Sequence, residues 1–372
     1  MRWRIGLTNF DVKTVRKILL FPIGIVYGTV AALRRKWYQW HPEKVYFPGF
    51  PVICVGNLAV GGTGKTPHIE YLLRLLSDHY RLATLSRGYK RATHGYILAG
   101  DEDSFVTIGD EPMQLHQKFS NVQVAVCEQR AEGLRKLRSG ECPPQVVLLD
   151  DAYQHVGVRA GYHLLLTEYA NLYVHDFPLP AGTLREFRSA ARRADMVIVT
   201  KCPADLSEQQ ASDIKRKLDL QATQSCYFST YAYVSPQPLN SAAQETQWQK
   251  DTKVFLLTGI ANPQPLYAWI SSQYSNIERI TFSDHHIFTE KDVERLCKKI
   301  AREKQNHVVI TTEKDAVRLK VYEEKLKSVP MFVVPVQVEI LLEEAQEFGQ
   351  KIFKFIHDFQ SPVSRSESGE GC

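Results

Sequence analysis

Lys65 and Thr66 close a glycine-rich run, Gly61-Gly62-Thr63-Gly64-Lys65-Thr66, that follows a short apolar stretch from Val52 to Val55. An apolar strand, a glycine-rich turn and then a helix form the setting of a phosphate-binding loop. Glycines let backbone N–H groups turn toward phosphate oxygens, and the helix N-terminus adds partial positive charge. In that reading Lys65 reaches the β- and γ-phosphates of a nucleoside triphosphate, and the Thr66 hydroxyl holds Mg²⁺. The pattern G-x-x-x-x-G-K-[ST] has its first glycine where this chain has Ala59, followed by Val60. The alternative reading is a glycine-rich loop that merely turns the chain.

A second set of chemistry-bearing residues falls at the ends of other apolar runs. Gln145 to Leu149 is followed by Asp150-Asp151, the pattern of a strand that delivers a carboxylate to Mg²⁺. Thr200-Lys201-Cys202-Pro203 is similar to the guanine-reading [NT]-K-x-D motif, but Pro203 replaces the base-reading Asp, which favours ATP over GTP. Arg87 follows the run Arg81 to Ser86. Three further segments join predicted elements and are dense in polar groups: Gly109-Asp110-Glu111-Pro112, Tyr153-Gln154-His155, and Pro180 to Glu186 with Arg185. Charged groups on such loops are more often functional than charges on helix faces. Asp110 could equally N-cap a helix that begins near Pro112. Asp284-His285-His286 ends the run Ile277 to Phe282, and a histidine oriented by a neighbouring carboxylate is suited to acid–base work.

The elements that must position these groups alternate between strands and helices. Strands are expected at Val52 to Val55, Arg81 to Ser86, Val122 to Val126, Gln145 to Leu149, Tyr162 to Thr167 and Met196 to Thr200. This predicts an α/β fold with a mostly parallel sheet and helices on both faces, its ligand sites beyond the carboxyl ends of the strands. A smaller α/β domain is expected to follow, with a strand–turn–helix unit starting at Lys253 to Ile260 and strands at Ile277 to Phe282 and His307 to Asp315. The expected division is an N-terminal segment over 1–50, a phosphate-loop domain over 51–225, a smaller domain over 226–360 and a disordered tail over 361–372. Ser, Glu and Gly dominate that tail.

Ile18 to Leu33 is uncharged, flanked by Arg16-Lys17 and Arg34-Arg35-Lys36, and followed by Trp37, Tyr38 and Trp40. It is shorter than the roughly 20 apolar residues a spanning helix needs. One reading is a helix lying in the headgroup region of a membrane, its cations on anionic lipids. The other is a helix packed on the protein's own core. The net charge of +5 over 372 residues does not argue for a nucleic-acid partner. Seven scattered cysteines without a C-x-x-C point to a reducing compartment and away from a zinc site.

Taken together, the motifs resemble the tetraacyldisaccharide 4′-kinase family, the lipid A 4′-kinases of Gram-negative bacteria. The segments that carry the resemblance are Val55 to Pro67, Ser86 to Tyr89, Gly109 to Pro112, Asp150 to His155, Leu179 to Glu186, Asp284-His285 and Thr312 to Val317, in family order. The family also lacks a glycine at the Ala59 position. The resemblance implies a P-loop NTPase-like fold and transfer of the ATP γ-phosphate to the 4′-hydroxyl of tetraacyldisaccharide 1-phosphate, giving lipid IVA. It implies ATP and Mg²⁺ as cofactors and a membrane-associated N-terminal helix at the cytoplasmic face of the inner membrane. No protein partner is predicted.

By the same resemblance, Ala59, Val60, Gly61, Gly62, Thr63, Gly64, Lys65 and Thr66 bind the nucleotide. Asp110 in the first domain pairs with His285 in the second to deprotonate the sugar hydroxyl. Thr66, Glu111, Asp150 and Asp151 organise the metal, His155 and Glu186 lie near the phosphates, and Arg87 and Arg185 meet phosphate charge. Ala152-Tyr153 replaces the Gly-Leu of many relatives, a change in packing beside Asp151. Two other classes compete. A membrane-positioned ATPase switch carries an early lysine in its loop, where this chain has Val60. A soluble kinase of polar metabolites leaves Ile18 to Leu33 unexplained.

Overall fold

The computed structural model describes residues 12–246, 248–249 and 251–359. The expected tail from Ser361, and Arg2 and Arg4 in the basic N-terminal stretch, lie outside the described residues, as do the side chains of Lys13, Arg16 and Lys17. The chain forms two compact units. Among the described residues one comprises 12–86, 129–230 and 339–359, the other lies within 87–128 and 231–338.

The first unit holds a parallel sheet in the order Ser225–Tyr233, Met196–Thr200, Tyr162–Glu168, Val52–Asn57 (β1), Val146–Asp150 and Leu82–Ser86 (β2). β1 lies inside it, with Val55 opposite Asp150 on one side and Leu164 on the other. Every residue of β1, Val146–Asp150 and Met196–Thr200 is buried. Strands covered on both faces read as continuous apolar runs, which is why these segments were legible without alternation.

The helix Lys65–Leu76 (α2) follows β1 and buries Ile69, Leu72, Leu73 and Leu76, the i, i+3, i+4, i+7 stripe of a helix laid on a sheet. Truncating one of these to Ala would cost about 2–5 kcal/mol.

The second unit is built on a sheet ordered Ile277–Thr281, Lys253–Thr258, His307–Thr312, Met331–Val334 and Gln237–Pro238, parallel except for the last. Alternate residues face two cores. Phe255, Leu257 and Val309 pack with Val293, Leu296 and Ile300, whereas Val254, Leu256, Val308 and Ile310 pack with Leu266 and Ile270.

The grouping of 87–128 with this sheet differs from the single boundary expected near 225. The reason is packing. Helix Glu313–Leu319 places Val317 in a cluster with Ile108, Met113 and Val126, joined by Ile97 and Phe105. Ion pairs Lys118–Glu313 and Lys314–Glu111 join the same two segments.

The helix Val12–Trp40 (α1) carries the N-terminal apolar run. Its inner seam is Gly24, Gly28, Ala31, Arg35 and Tyr38, at alternating spacings of four and three. A Cβ at Gly28 would fall 2.7 Å from the Phe187 ring, and one at Gly24 would fall 2.9 Å from the Pro178 carbonyl oxygen. Glycine is thus needed there for close approach. The outer face is apolar and exposed, from Leu19 at 70 % through Val26, Val30 and Leu33 to Trp40. Among the described residues no helix is long and apolar enough to cross a membrane. The six described cysteines are free, and burial pushes the thiols of Cys54, Cys202 and Cys226 up to about 12.

Candidate active site

The first unit presents the phosphate loop. Gly64 adopts a left-handed φ of 91° and heads α2, with no side-chain cap on its first turn among the described residues. The first-turn N–H groups are therefore available to an anion. Gly61 has a φ of 121°, and a Cβ at Gly61 or Gly62 would meet no described atom within 4 Å, so the hollow has room for phosphate.

The loop's outward-facing groups are tied down. The Thr200 hydroxyl donates to the Thr63 carbonyl at 2.9 Å, and Asn57 Nδ2 donates to Thr63 Oγ1 at 2.9 Å. Lys201 donates to the Gly62 carbonyl and pairs with Glu168. His68, fully buried, bonds through Nδ1 to the Gly64 carbonyl at 2.7 Å and through Nε2 to the Ser229 hydroxyl at 2.9 Å. A carbonyl only accepts, so Nδ1 carries the proton. Burial pulls the His68 pKa down to about 4 despite that bond, and the ring stays neutral at physiological pH.

Asp150 ends its strand in the sheet's interior, and its carbonyl accepts from Arg130. Asp151 follows with a φ of 47°, a conformation uncommon for a side-chain-bearing residue and frequent where a site needs it. Lys65 Nζ stands 3.6 Å from Asp151 Oδ1, and Arg185 Nη1 donates to both its oxygens at 3.0 and 3.1 Å. Burial raises the Asp151 pKa, but Lys65 and Arg185 outweigh it and hold the carboxyl below its ordinary range.

Tyr153 is buried against Gly56, where a Cβ would fall 2.7 Å from its own, and its hydroxyl donates to the Ala190 carbonyl at 2.8 Å. His155 is half-buried in the turn after Asp151, its N–H on the Ala152 carbonyl.

The segment from Asp176 to Arg188 runs beside the phosphate loop. Val60 N–H donates to the Thr183 carbonyl at 2.8 Å, and Arg185 N–H donates to the Leu58 carbonyl at 2.7 Å. Ala59 bridges to Leu184. Position 59 therefore forms a strand-like contact, a use for a side-chain-bearing residue where the common motif has glycine. Glu186 is clamped by Arg193 at 2.8 and 2.9 Å and faces Arg35 at 3.5 Å, so its carboxylate is engaged in ion pairs.

The second unit carries a carboxylate–imidazole pair. Gly109, with a φ of 97°, turns the chain into helix Asp110–Lys118. Asp110 Oδ1 accepts from Glu111 N–H at 3.0 Å, and Oδ2 accepts from His285 Nδ1 at 2.8 Å. An ionised carboxylate only accepts, so His285 carries its proton on Nδ1 and leaves Nε2 as the basic nitrogen. Burial raises the Asp110 pKa; the His285 bond and the charges of Lys314 and Arg318 overcome it and keep the carboxyl below its usual range.

Asp110 and His285 had been expected in separate domains, yet both belong to this unit and are hydrogen-bonded within it. The packing of Ile108 and Met113 against Val317 brings them there. Glu111 pairs with Lys314, and Arg87 is exposed at the start of this unit.

Asp315, which the sequence marks only as a cap at the start of its helix, and Arg318, which it does not mark, hold the His285 turn. His285 has a φ of 56°, and its N–H donates to the Gly259 carbonyl at 3.1 Å. Asp315 Oδ2 accepts from Gly259 N–H at 3.0 Å. Arg318 donates to the carbonyls of Gly259 and His286 and to Asp315 Oδ1, the last at 2.7 Å. The i, i+3 spacing of a carboxylate and an arginine was the available signal. Both side chains are buried, so Arg318→Met leaves a charge without compensation. Unfolding free energy is expected to fall by about 3–5 kcal/mol, measurable as a lowered urea midpoint.

The residues Thr66, Asp150 and Asp151 offer oxygen donors alone, the chemistry Mg²⁺ takes. Among the described residues no three His, Cys, Asp or Glu side chains gather as a preformed cage. The set thus suits a cation that brings nucleotide phosphate oxygens with it, as Mg²⁺ does.

The family model described as LpxK, tetraacyldisaccharide-1-P 4′-kinase, matches residues 16–357. The tetraacyldisaccharide 4′-kinase of Flavobacterium johnsoniae is 44 % identical over 349 residues, covering 94 % of this chain and 99 % of that protein. The protein of the same name from Bacteroides thetaiotaomicron is 41 % identical over 363 residues, covering 94 % and 95 %. In fold, the chain is similar to the crystal structure of LpxK from Aquifex aeolicus in complex with ATP. The TM-score is 0.70 at 24 % identity, over 91 % of this chain and 99 % of that one. The chain belongs to the tetraacyldisaccharide-1-P 4′-kinase family.

Proposed function

We propose that this protein transfers the γ-phosphate of ATP to the 4′-hydroxyl of tetraacyldisaccharide 1-phosphate, a step of lipid A biosynthesis that gives lipid IVA. The family membership supports the substrate, and the Asp110–His285 pair carries the chemical argument. A nucleotide-driven switch has no need of a base for an alcohol, whereas a kinase of a sugar hydroxyl does.

The backbone N–H groups of Gly61 to Thr66 cradle the ATP phosphates, and Lys65 neutralises charge on the transferring group. Thr66, Glu111, Asp150 and Asp151 would hold Mg²⁺, which when bound would supply further neutralisation of phosphate charge. Arg87 and Arg185 would balance phosphate charge of the substrate or transition state. His155 and Glu186 would lie near the phosphates and the metal. His285 Nε2 takes the proton of the 4′-hydroxyl as its oxygen bonds to phosphorus. The bond from phosphorus to the leaving ADP oxygen breaks in the same displacement. Asp110 stabilises the imidazolium that results.

The test is incubation with γ-labelled ATP, Mg²⁺ and the tetraacyl disaccharide phosphate. Label is expected in the organic-extractable lipid; ATP hydrolysis with unlabelled lipid would favour the switch.

The substrate's acyl chains reside in a bilayer, and the exposed apolar face of α1, with Arg34, Lys36, Trp37 and Trp40 beyond it, suits the headgroup region of an anionic leaflet. The cytoplasmic face of the inner membrane, where ATP is available, is the location this reading assigns. Val26→Ser, Val30→Ser and Leu33→Ser together should abolish co-flotation with anionic vesicles. In detergent micelles kcat should be unchanged; retained flotation would refute the membrane role of α1.

A further inference from the structure

The helix α1 lies against more than an inert surface. The helix touches the Asp176–Arg188 segment at three levels: Phe21 meets the Phe177 ring edge-on at 5.4 Å, Gly28 abuts Phe187, and Arg35 reaches Glu186 at 3.5 Å. Tyr38 continues the seam onto Gly157, in the turn that follows Asp151 and His155.

The segment is internally braced. Asp176 accepts from the N–H groups of Phe177 and Thr183 at 2.8 and 3.0 Å, and from the Thr183 hydroxyl. Its other edge is bonded to Leu58 and Val60 of the phosphate loop, and its Arg185 holds Asp151. One short piece of chain therefore has the N-terminal helix on one side and the phosphate loop on the other.

We infer that Arg35 is a positioning residue for phosphoryl transfer, acting through Glu186 on the segment that carries Arg185. Three observations support this. Arg35 lies in the inner seam, while its neighbours Arg34 and Lys36 are exposed. Glu186 is buried and, among the described residues, is paired with two arginines, so loss of Arg35 leaves it to Arg193. Arg185 is the next residue, and its N–H and guanidinium hold the phosphate loop and Asp151. A small displacement at Glu186 is thus transmitted to groups that must meet the nucleotide in register. A misplacement of about 1 Å in such a site can cost 10²-fold in rate.

The proposal rests on the 4′-kinase reading, and the two fail differently. Absence of lipid phosphorylation by the unaltered protein would sink the reading. A wild-type-like Arg35→Gln would sink only the inference.

The experiment is a double-mutant cycle of Arg35→Gln and Glu186→Gln in mixed micelles, with kcat and the KM for lipid measured separately and vesicle flotation as a parallel readout. Arg35→Gln is expected to lower kcat about 10-fold or more, leaving the lipid KM and flotation near wild type. Arg35→Lys should restore part of the rate, and the double variant should be no slower than Glu186→Gln alone. A raised lipid KM with unchanged kcat, or losses that multiply in the double variant, would overturn the inference. If Arg35→Gln does not fold, Arg35→Met, which keeps the apolar stem, takes its place with the same outcomes.

Discussion

Asp110→Asn is expected to lower kcat by about 10²–10⁴-fold while leaving the KM for ATP little changed. The geometry says why so small a change matters. The carboxylate fixes the proton on His285 Nδ1, and the basic nitrogen is consequently Nε2. An amide can offer its Nδ2–H to that same nitrogen. The ring then adopts the other tautomer, with its proton on Nε2, where it cannot accept one from an alcohol. Asn also removes the negative charge that stabilises the imidazolium.

His285→Ala should cost as much, and the double variant no more than either alone, because the two act as one unit. Since both residues lie in one unit and are bonded in this structure, the pair is preformed and no domain closure is needed to assemble it. An effect of His285→Ala confined to KM would make it a binding residue and end the dyad account.

Lys65→Ala is the second large effect, an expected loss of about 10²–10³-fold in kcat/KM for ATP. Lys65 heads α2 and faces Asp151, whose carboxylate is also held by Arg185. Two cations on one carboxylate leave net positive charge where phosphate charge would lie, and Asp151 keeps the lysine extended along the loop. Removing Lys65 deletes the mobile point charge and leaves Arg185 to Asp151 alone. Lys65→Arg should recover little, because a planar fork cannot replace a compact ammonium in a glycine cradle. Steady-state kinetics with nucleotide titration by calorimetry measure both parts. A loss of less than about tenfold would show that Lys65 contributes little to the transition state.

Much of this site was legible because its chemistry depends on residue types at fixed spacing. The glycines, Lys65 and Thr66 identify themselves, and Asp150-Asp151 is marked by the apolar run before it. The strands of the first sheet were legible because burial on both faces leaves uninterrupted apolar runs.

What escaped was long-range packing. Alternation of strands and helices places 87–128 within the first domain by adjacency along the chain. Whether Ile108 and Met113 pack beside Val317 depends on side-chain complementarity that no local pattern encodes. The left-handed backbones of Asp151, Lys201 and His285 were invisible for a similar reason, since surrounding contacts impose a conformation their residue types do not favour. The seam of α1 was half visible. Gly24 and Gly28 read as weaknesses of an apolar helix until Pro178 and Phe187 are found against them.

Where the phosphate goes tests the 4′-kinase activity most directly. The measurement is a phosphorus–proton correlation spectrum of the lipid formed from ATP, Mg²⁺ and tetraacyldisaccharide 1-phosphate, alongside the ADP released. The expected product carries a new phosphomonoester coupled to the proton at the 4′ carbon, with one ADP for each lipid converted. A diphosphate coupled to the anomeric proton, or ADP and inorganic phosphate released with the lipid unchanged, would contradict it.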